Sequence, residues 1–368
     1  MGDAIIPLND LRRGVAAHRG EIDESIRRVV ESGWFLNGPE RQAFEQEFGN
    51  YLGVETCVGV ANGTDALEIA LRACECQPGD EVVLAANAGM YGATAALRAE
   101  LRLRYADVES DTLCLSWETV AAALGPETRA VVVTHLYGST ADIEPIVCGC
   151  REHGVLVIED CAQSAGASRD GRRAGSFGDV AAVSFYPTKN LGALGDSGAV
   201  VTSSARTAER ARSLSQYGWE TKYNVSLAGG RNSRLDELQA AILRARLPHL
   251  DATNERRRTI VDRYRSAISA AAGRIVSSEG ESYVAHLAVL LTPPGERDRI
   301  ARRLNKSGIT TEIHYPVPDH RQPLFADSFA TISLPITEAA AAQVLTLPCF
   351  PELTEDEIDR VCEALGAL

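Results

Sequence analysis

The chain has 368 residues, 45% hydrophobic and 24% charged, which excludes a collagenous or wholly disordered protein and is long enough for a large domain with a smaller one beside it. Thirty-seven Lys and Arg against fifty Asp and Glu leave a net charge of −13, so a general affinity for nucleic acid or anionic lipid is excluded and an anionic ligand would need local basic groups. No apolar run approaches the roughly 18 residues of a membrane span, and the opening MGDAIIPLNDLRRG has no secretion-signal core, which points to the cytoplasm and to reduced cysteines.

Apolar positions Ile22, Ile26, Val29 and Val30 lie on one face of a helix expected over residues 10–33, and Gly33 stops it. A turn at Asn37, Gly38 and Pro39 leads into a second helix over Glu40 to Tyr51, where Phe44, Phe48 and Tyr51 recur at helical spacing as core residues. Cys57 to Val60 reads as a strand, after which Gly63 and Thr64 open a helix. In ANGTDAL a glycine permits close approach, a hydroxyl sits in the same turn, and the free amides of a helix start point outward, as in a phosphate cradle; Thr64 acting only as a helix cap is the plainer alternative. The C-x-C pairs Cys74/Cys76 and Cys148/Cys150 are spaced more tightly than zinc ligand pairs usually are, and no metal site is expected.

Glu81 to Ala85 is the next strand, and AANAGMYGATAAL places Tyr91 near the start of another helix. Two buried strands follow, Ala130 to Thr134 and Val155 to Ile158, the second leading into EDCAQSAGA. Strands alternating with helices argue for a mainly parallel sheet covered on both faces, with ligands at the carboxyl ends of the strands. Asp160 lies just past such a strand, where a buried carboxylate needs a cationic partner.

In SFGDVAAVSFYPTKNLGALGDSGAVV, Ser176 to Val201, short buried strands flank a glycine-rich turn that carries Lys189. Burial disfavours the charged form of a lysine, and the neutral amine can form a Schiff base with a carbonyl. Arg206 to Leu214 and the segment after Leu235 read as helices, and the composition shifts near Pro248. The expected boundary is near residue 250, giving a large domain over 1–250 and a small C-terminal α/β domain over 251–368. In the latter, strands at Ala285 to Leu291 and Thr310 to His314 alternate with helices at Arg297 to Ser307, near 339–342, and at Glu355 to Leu365. HYPVPDHRQP stiffens a loop that presents His314, Tyr315 and His320 as polar groups beyond the needs of packing.

From FLNGPE at Phe35 to HYPVPDHRQP, and most specifically around Lys189, the chain resembles the DegT/StrS family of sugar-nucleotide aminotransferases. That resemblance implies an α/β protein of PLP fold type I, aspartate aminotransferase-like, with pyridoxal 5′-phosphate (PLP) carried on Lys189 and cycling through pyridoxamine phosphate (PMP). It implies further that Gly63, Thr64 and Ser184 hold the phosphate, that Tyr91 stacks on the cofactor ring, that Asp160 pairs with the ring nitrogen, and that Gln163 lies near the ring hydroxyl. Ala165 stands where relatives often carry histidine. GGRNSR matches an element that reaches into the neighbouring subunit's phosphate site, so Asn232 and Arg234 imply a homodimer with shared active sites. His314, Tyr315 and Tyr186 are the substrate-binding candidates, with Trp34 and Asn37 as further neighbours.

HYPVPDHRQP is similar to the branch that aminates dTDP-linked 3-keto-6-deoxyhexoses. The expected function is therefore transamination of a nucleotide-linked keto sugar at C3, with glutamate as amino donor, in deoxysugar or antibiotic biosynthesis. The alternatives are a 4-keto sugar aminotransferase, a sugar 3-dehydrase, and a non-catalytic regulator on the same fold. Lys189 argues against the dehydrase, whose members carry histidine there, and an absorbance change with glutamate separates enzyme from regulator. A dinucleotide oxidoreductase lacks its G-x-G-x-x-G after the first strand.

Overall fold

A computed structural model describes residues 5–368; residues 1–4, part of the opening segment read for a signal, lie outside the described residues. The strands β1 (Thr56–Val60), β2 (Glu81–Ala85), β3 (Arg102–Ala106), β4 (Thr128–Thr134), β5 (Leu156–Asp160), β6 (Val180–Ser184) and β7 (Gly198–Thr202) form a seven-stranded sheet in the order β1-β7-β6-β5-β4-β2-β3. Only β7 runs against the others, pairing antiparallel with β1 and β6. The remaining carboxyl ends therefore share one edge of the sheet.

β2, β6 and β7 are buried at every position, as strands covered on both faces must be. The two faces take alternate residues. Val82 and Leu84 join Leu67, Ile69 and Leu214 on one side, while Val83 and Ala85 join Ile143 and Ile146 on the other. Phe44 and Phe48, fully buried, pack edge-on against Phe185 just after β6, which seats the lysine loop on the core.

Most elements read from the sequence are found within two residues of their expected ends. The expected helix over 10–33 is two, Leu11–Ala17 and Arg19–Ser32, broken at His18 and stopped by Gly33 at φ 65°. β3 is not evident in the sequence, because RLRYA is an edge strand carrying the exposed Arg102 and half-buried Arg104 rather than an apolar run. Pro248 lies in a 3-10 turn, Leu247–His249, between the helices Glu237–Arg246 and Leu250–Ala267.

Beyond that turn the C-terminal strands β8 (Arg274–Val276), β9 (Ala288–Leu291) and β10 (Val344–Leu347) form an antiparallel sheet. Residues 310–314 were expected to be a strand and are not one. They make only the bridge Glu312–Thr346, just after the bridge Ile6–Ile309, and the turn into Pro316 and Pro318 leaves no donors to extend a ladder. Ile6 thereby enters the core built from Ile260, Tyr264, Leu290, Leu304 and Phe350. No described helix is long and apolar enough to cross a membrane.

Candidate active site

At the shared carboxyl edge of the sheet lies a cavity of about 810 Å³ whose walls include Gly63, Thr64, Tyr91, Asp160, Gln163, Ser184, Tyr186, Lys189, His314 and Tyr315. Residues spread over some 250 positions of sequence thus meet in one place. Asn232 is not among them: it is exposed and bridged to Gln216. Trp34 and Asn37 also lie outside this cavity, and Asn37 instead lines a second hollow of about 910 Å³ with Arg212, Gln216, Lys222 and Arg234.

Lys189 sits on the loop between β6 and β7, closed by Ala193 N–H donating to Phe185 C=O at 2.8 Å and Lys189 N–H to Tyr186 C=O at 2.8 Å. Gly192 permits the tight return, since a Cβ there would stand 2.5 Å from the Pro187 carbonyl oxygen. Burial pulls the amine down to about 8, against the opposing charge of Asp160. Among the described residues no carboxylate comes within 4.0 Å of the Lys189 nitrogen, so the amine is not locked in an ion pair. Only three lysines occur in the chain, and Lys222 and Lys306 lie outside this cavity, leaving Lys189 as its one primary amine among the described residues.

Asp160 ends β5. One carboxylate oxygen accepts from Thr134 Oγ1 at 3.2 Å and the other from Ala162 N–H at 3.1 Å, yet burial still raises its pKa. Strand alternation sends Glu159 to the opposite side, where it accepts from His135 Nε2 at 3.0 Å, Gly175 N–H at 2.8 Å, and Phe177 and Gly178 N–H at 2.7 Å. With His135 and these amides around it, Glu159 is held below the usual carboxylate range despite its burial. Glu159 ties the glycine-rich segment before β6 to β5. Sequence reading missed it, although the adjacent acids at a strand end are its trace.

The helix Gly63–Ala73 is capped by Asn62, whose side chain accepts from Asp65 N–H at 2.8 Å. Thr64 is therefore not the cap, and its hydroxyl is left to the cavity wall. The amides of Gly63 and Thr64 precede the first intrahelical hydrogen bonds. A Cβ on Gly63 would stand 2.6 Å from Ser184 Cβ, so glycine is what lets the helix start approach the end of β6. Tyr91 begins its own helix, Tyr91–Arg98, and remains 51% exposed.

The HYPVPDHRQP loop closes the other wall. His314 Nδ1 meets Thr346 Oγ1 at 2.9 Å, and its carbonyl accepts from the buried Tyr137 hydroxyl. Gln163 is oriented by Tyr137 N–H, which donates to its Oε1 at 2.7 Å, and its Nε2 donates to the Tyr315 hydroxyl at 3.2 Å. The Tyr315 ring lies edge-on to Tyr91 at 6.2 Å and against Gly89, where a Cβ would approach it to 2.9 Å. Asp319, unread in the sequence, is buried and accepts Met90 N–H at 2.9 Å, anchoring the turn that delivers Tyr91. His320 corrects the expectation made for it: it is sealed in the fold, with Nε2 against Glu338 at 2.9 Å, and serves packing after all. His286, also unread, lines the cavity.

Residues 17–366 match the DegT/DnrJ/EryC1/StrS aminotransferase family. The chain is similar to the dTDP-3-amino-3,4,6-trideoxy-alpha-D-glucose transaminase of Streptomyces venezuelae, at 40% identity over 98% of this chain and 95% of the relative. Among solved structures it resembles S. venezuelae DesV, in complex with a ketimine intermediate, with a TM-score of 0.95 and 40% identity over 99% of this chain and 98% of that one. It also resembles NtdA from Bacillus subtilis, with bound cofactor PMP, with a TM-score of 0.93 and 31% identity over 99% of this chain and 85% of that one.

Proposed function

The chain belongs to the DegT/DnrJ/EryC1/StrS aminotransferase family, and from that premise we propose that it aminates a dTDP-linked 3-keto-6-deoxyhexose at C3, with glutamate as amino donor. It is a PLP-dependent aminotransferase of fold type I. The observation that carries the substrate reading is the meeting, in one cavity, of Lys189 with the His314–Tyr315 wall, together with the likeness to a transaminase named for a dTDP-3-amino sugar.

The cavity residues suit PLP. The free amides of Gly63 and Thr64, with the Thr64 and Ser184 hydroxyls, offer donors to a phosphate, and the absent Cβ of Gly63 keeps that cradle open. Buried Asp160 has no cation within 4.0 Å among the described residues and suits a protonated ring nitrogen. Gln163 Nε2 has a second hydrogen for the ring hydroxyl, and Tyr91 offers a face to the ring.

When bound, the cofactor supplies an electron sink for C–H cleavage and a carrier for the amino group. Lys189 Nζ holds it at rest; once freed, the same nitrogen takes the proton from the α-carbon of glutamate and later returns one to C3 of the sugar. A pKa of about 8 suits both directions of transfer near neutral pH. His314, Tyr315 and Tyr186 position the sugar, and Asn232 serves the phosphate site of a partner subunit in a homodimer. The division at residue 250 and a cytoplasmic location complete the reading.

The test is incubation with glutamate and a panel of nucleotide-linked keto sugars, with products identified by mass and NMR. The 3-keto-6-deoxyhexose linked to dTDP should be aminated at C3 far faster than its 4-keto isomer. Preference for the 4-keto isomer, with isomerisation excluded, would overturn the regiochemistry.

A further inference from the structure

His286 lies on the C-terminal wall of the cavity, between β8 and β9, and is only 6% exposed. Its Nδ1 is 2.9 Å from Asn190 Oδ1, on the residue next to Lys189. Proton positions along this contact follow from its far ends. Asn254 Nδ2 donates to the Ala165 carbonyl at 3.0 Å, which leaves Asn254 Oδ1 to accept from Asn190 Nδ2 at 2.7 Å. Asn190 Nδ2 also donates to the Val284 carbonyl at 2.9 Å. Backbone carbonyls only accept, so both amides are fixed in orientation. Asn190 Oδ1 must then accept, and His286 must donate from Nδ1. Room for this relay is built in: a Cβ on Gly166 would stand 2.5 Å from Asn254 Nδ2.

The lone pair of His286 is consequently on Nε2. That atom has no hydrogen-bond partner among the described residues, and it is not one of the polar atoms sealed inside the fold, as Nδ1 of His320 is. The exposed remnant of His286 faces the cavity. Burial, and then the nearby Lys189 charge, hold the imidazole well below its ordinary pKa, so it is neutral. The wall of the cavity that holds Lys189 therefore carries a rigid acceptor without a donor hydrogen.

Such a group distinguishes the two partners of the reaction. A sugar brings several hydroxyl donors, whereas glutamate's one donor, its α-amino group, is engaged by the reaction itself and its carboxylates only accept. Resting on the keto-sugar reading above, we propose that His286 Nε2 accepts a hydroxyl hydrogen of the sugar and so serves the sugar half-reaction alone.

Two variants separate the parts of this arrangement. His286→Asn keeps an N–H for Asn190 but stops short of the cavity; His286→Gln reaches the cavity with a carbonyl oxygen. Each half-reaction is followed by cofactor absorbance in single turnovers, PLP-loaded enzyme with glutamate and PMP-loaded enzyme with the keto sugar. His286→Asn should lower the second-order rate constant of the sugar half-reaction about tenfold or more, the worth of one buried hydrogen bond, leave the glutamate half-reaction within about twofold, and be partly rescued by His286→Gln. Equal loss in both half-reactions, or loss in neither, overturns the proposal. As a second check, sugar analogues lacking one hydroxyl each should include one that reacts about tenfold more slowly with the unmodified enzyme, and that penalty should vanish in His286→Asn; no such analogue, or a penalty unchanged by the substitution, overturns the assignment. An unmodified enzyme inert to glutamate would instead sink the glutamate-donor reading on which this comparison rests.

Discussion

Asp319 provides a test of how the HYPVPDHRQP loop is held. Burial lifts its carboxyl from 3.8 to about 7, only partly offset by the amides of Met90 and Gly89. The unfolded chain ionises near 3.8, so between that value and about 7 the unfolded state binds fewer protons than the folded one, and stability falls as pH rises. At 1.36 kcal/mol per pH unit, the loss is on the order of 4 kcal/mol across the window from about pH 4 to about pH 7. Below the window both states are neutral and nothing is lost; above it the loss is complete. Asp319→Asn keeps an oxygen for Met90 N–H and does not ionise. Urea unfolding of both cofactor-free proteins at several pH values should give equal midpoints near about pH 4, and a variant ahead by on the order of 1 M urea near about pH 7.5. A difference independent of pH, or an unmodified protein that gains on the variant as pH rises, would refute the reasoning.

Gly63→Ala forces a Cβ to within 2.6 Å of Ser184 Cβ, so PLP affinity measured by fluorescence titration should weaken by about tenfold or more, with circular dichroism unchanged. Glu159→Gln must set its amide NH2 either against the Gly175 N–H and His135 Nε2 or against the Phe177 and Gly178 amides and should cost about 3 kcal/mol of stability in urea unfolding. If Asp160 pairs with the ring nitrogen as proposed, Asp160→Asn removes that charge, and turnover should fall by about a hundredfold or more while glutamate binding changes little. For the partner-subunit role of Asn232, mixed dimers of Lys189→Ala with an impaired Asn232 variant should regain activity in one composite site, and verified heterodimers without recovery would return Asn232 to its own subunit or remove it from the site.

The legible parts of this protein were those where local sequence and global fold agree. Apolar runs such as Val82–Val83–Leu84 and Val200–Val201 declare buried strands, and the motifs around Lys189, Asp160 and Gly63 meet at one cavity. Distant pairings were not legible. Asp319 acts on Met90, and Glu159 acts on amides up to 19 residues away; neither spacing is periodic. His286 could not be chosen from sequence, because what makes it available is a relay through Asn190 and Asn254 to the carbonyls of Ala165 and Val284. His320 shows the converse: it stands in the most informative loop, yet turns toward Glu338 and away from the cavity.

The central claim is that Lys189 carries the cofactor. With only three lysines in the chain, borohydride reduction of the PLP-loaded enzyme followed by peptide mass mapping answers it directly. The phosphopyridoxyl mass should fall on the peptide that contains Lys189, and Lys189→Ala should lose that label together with turnover; a label on Lys222 or Lys306, or turnover without Lys189, would contradict the account.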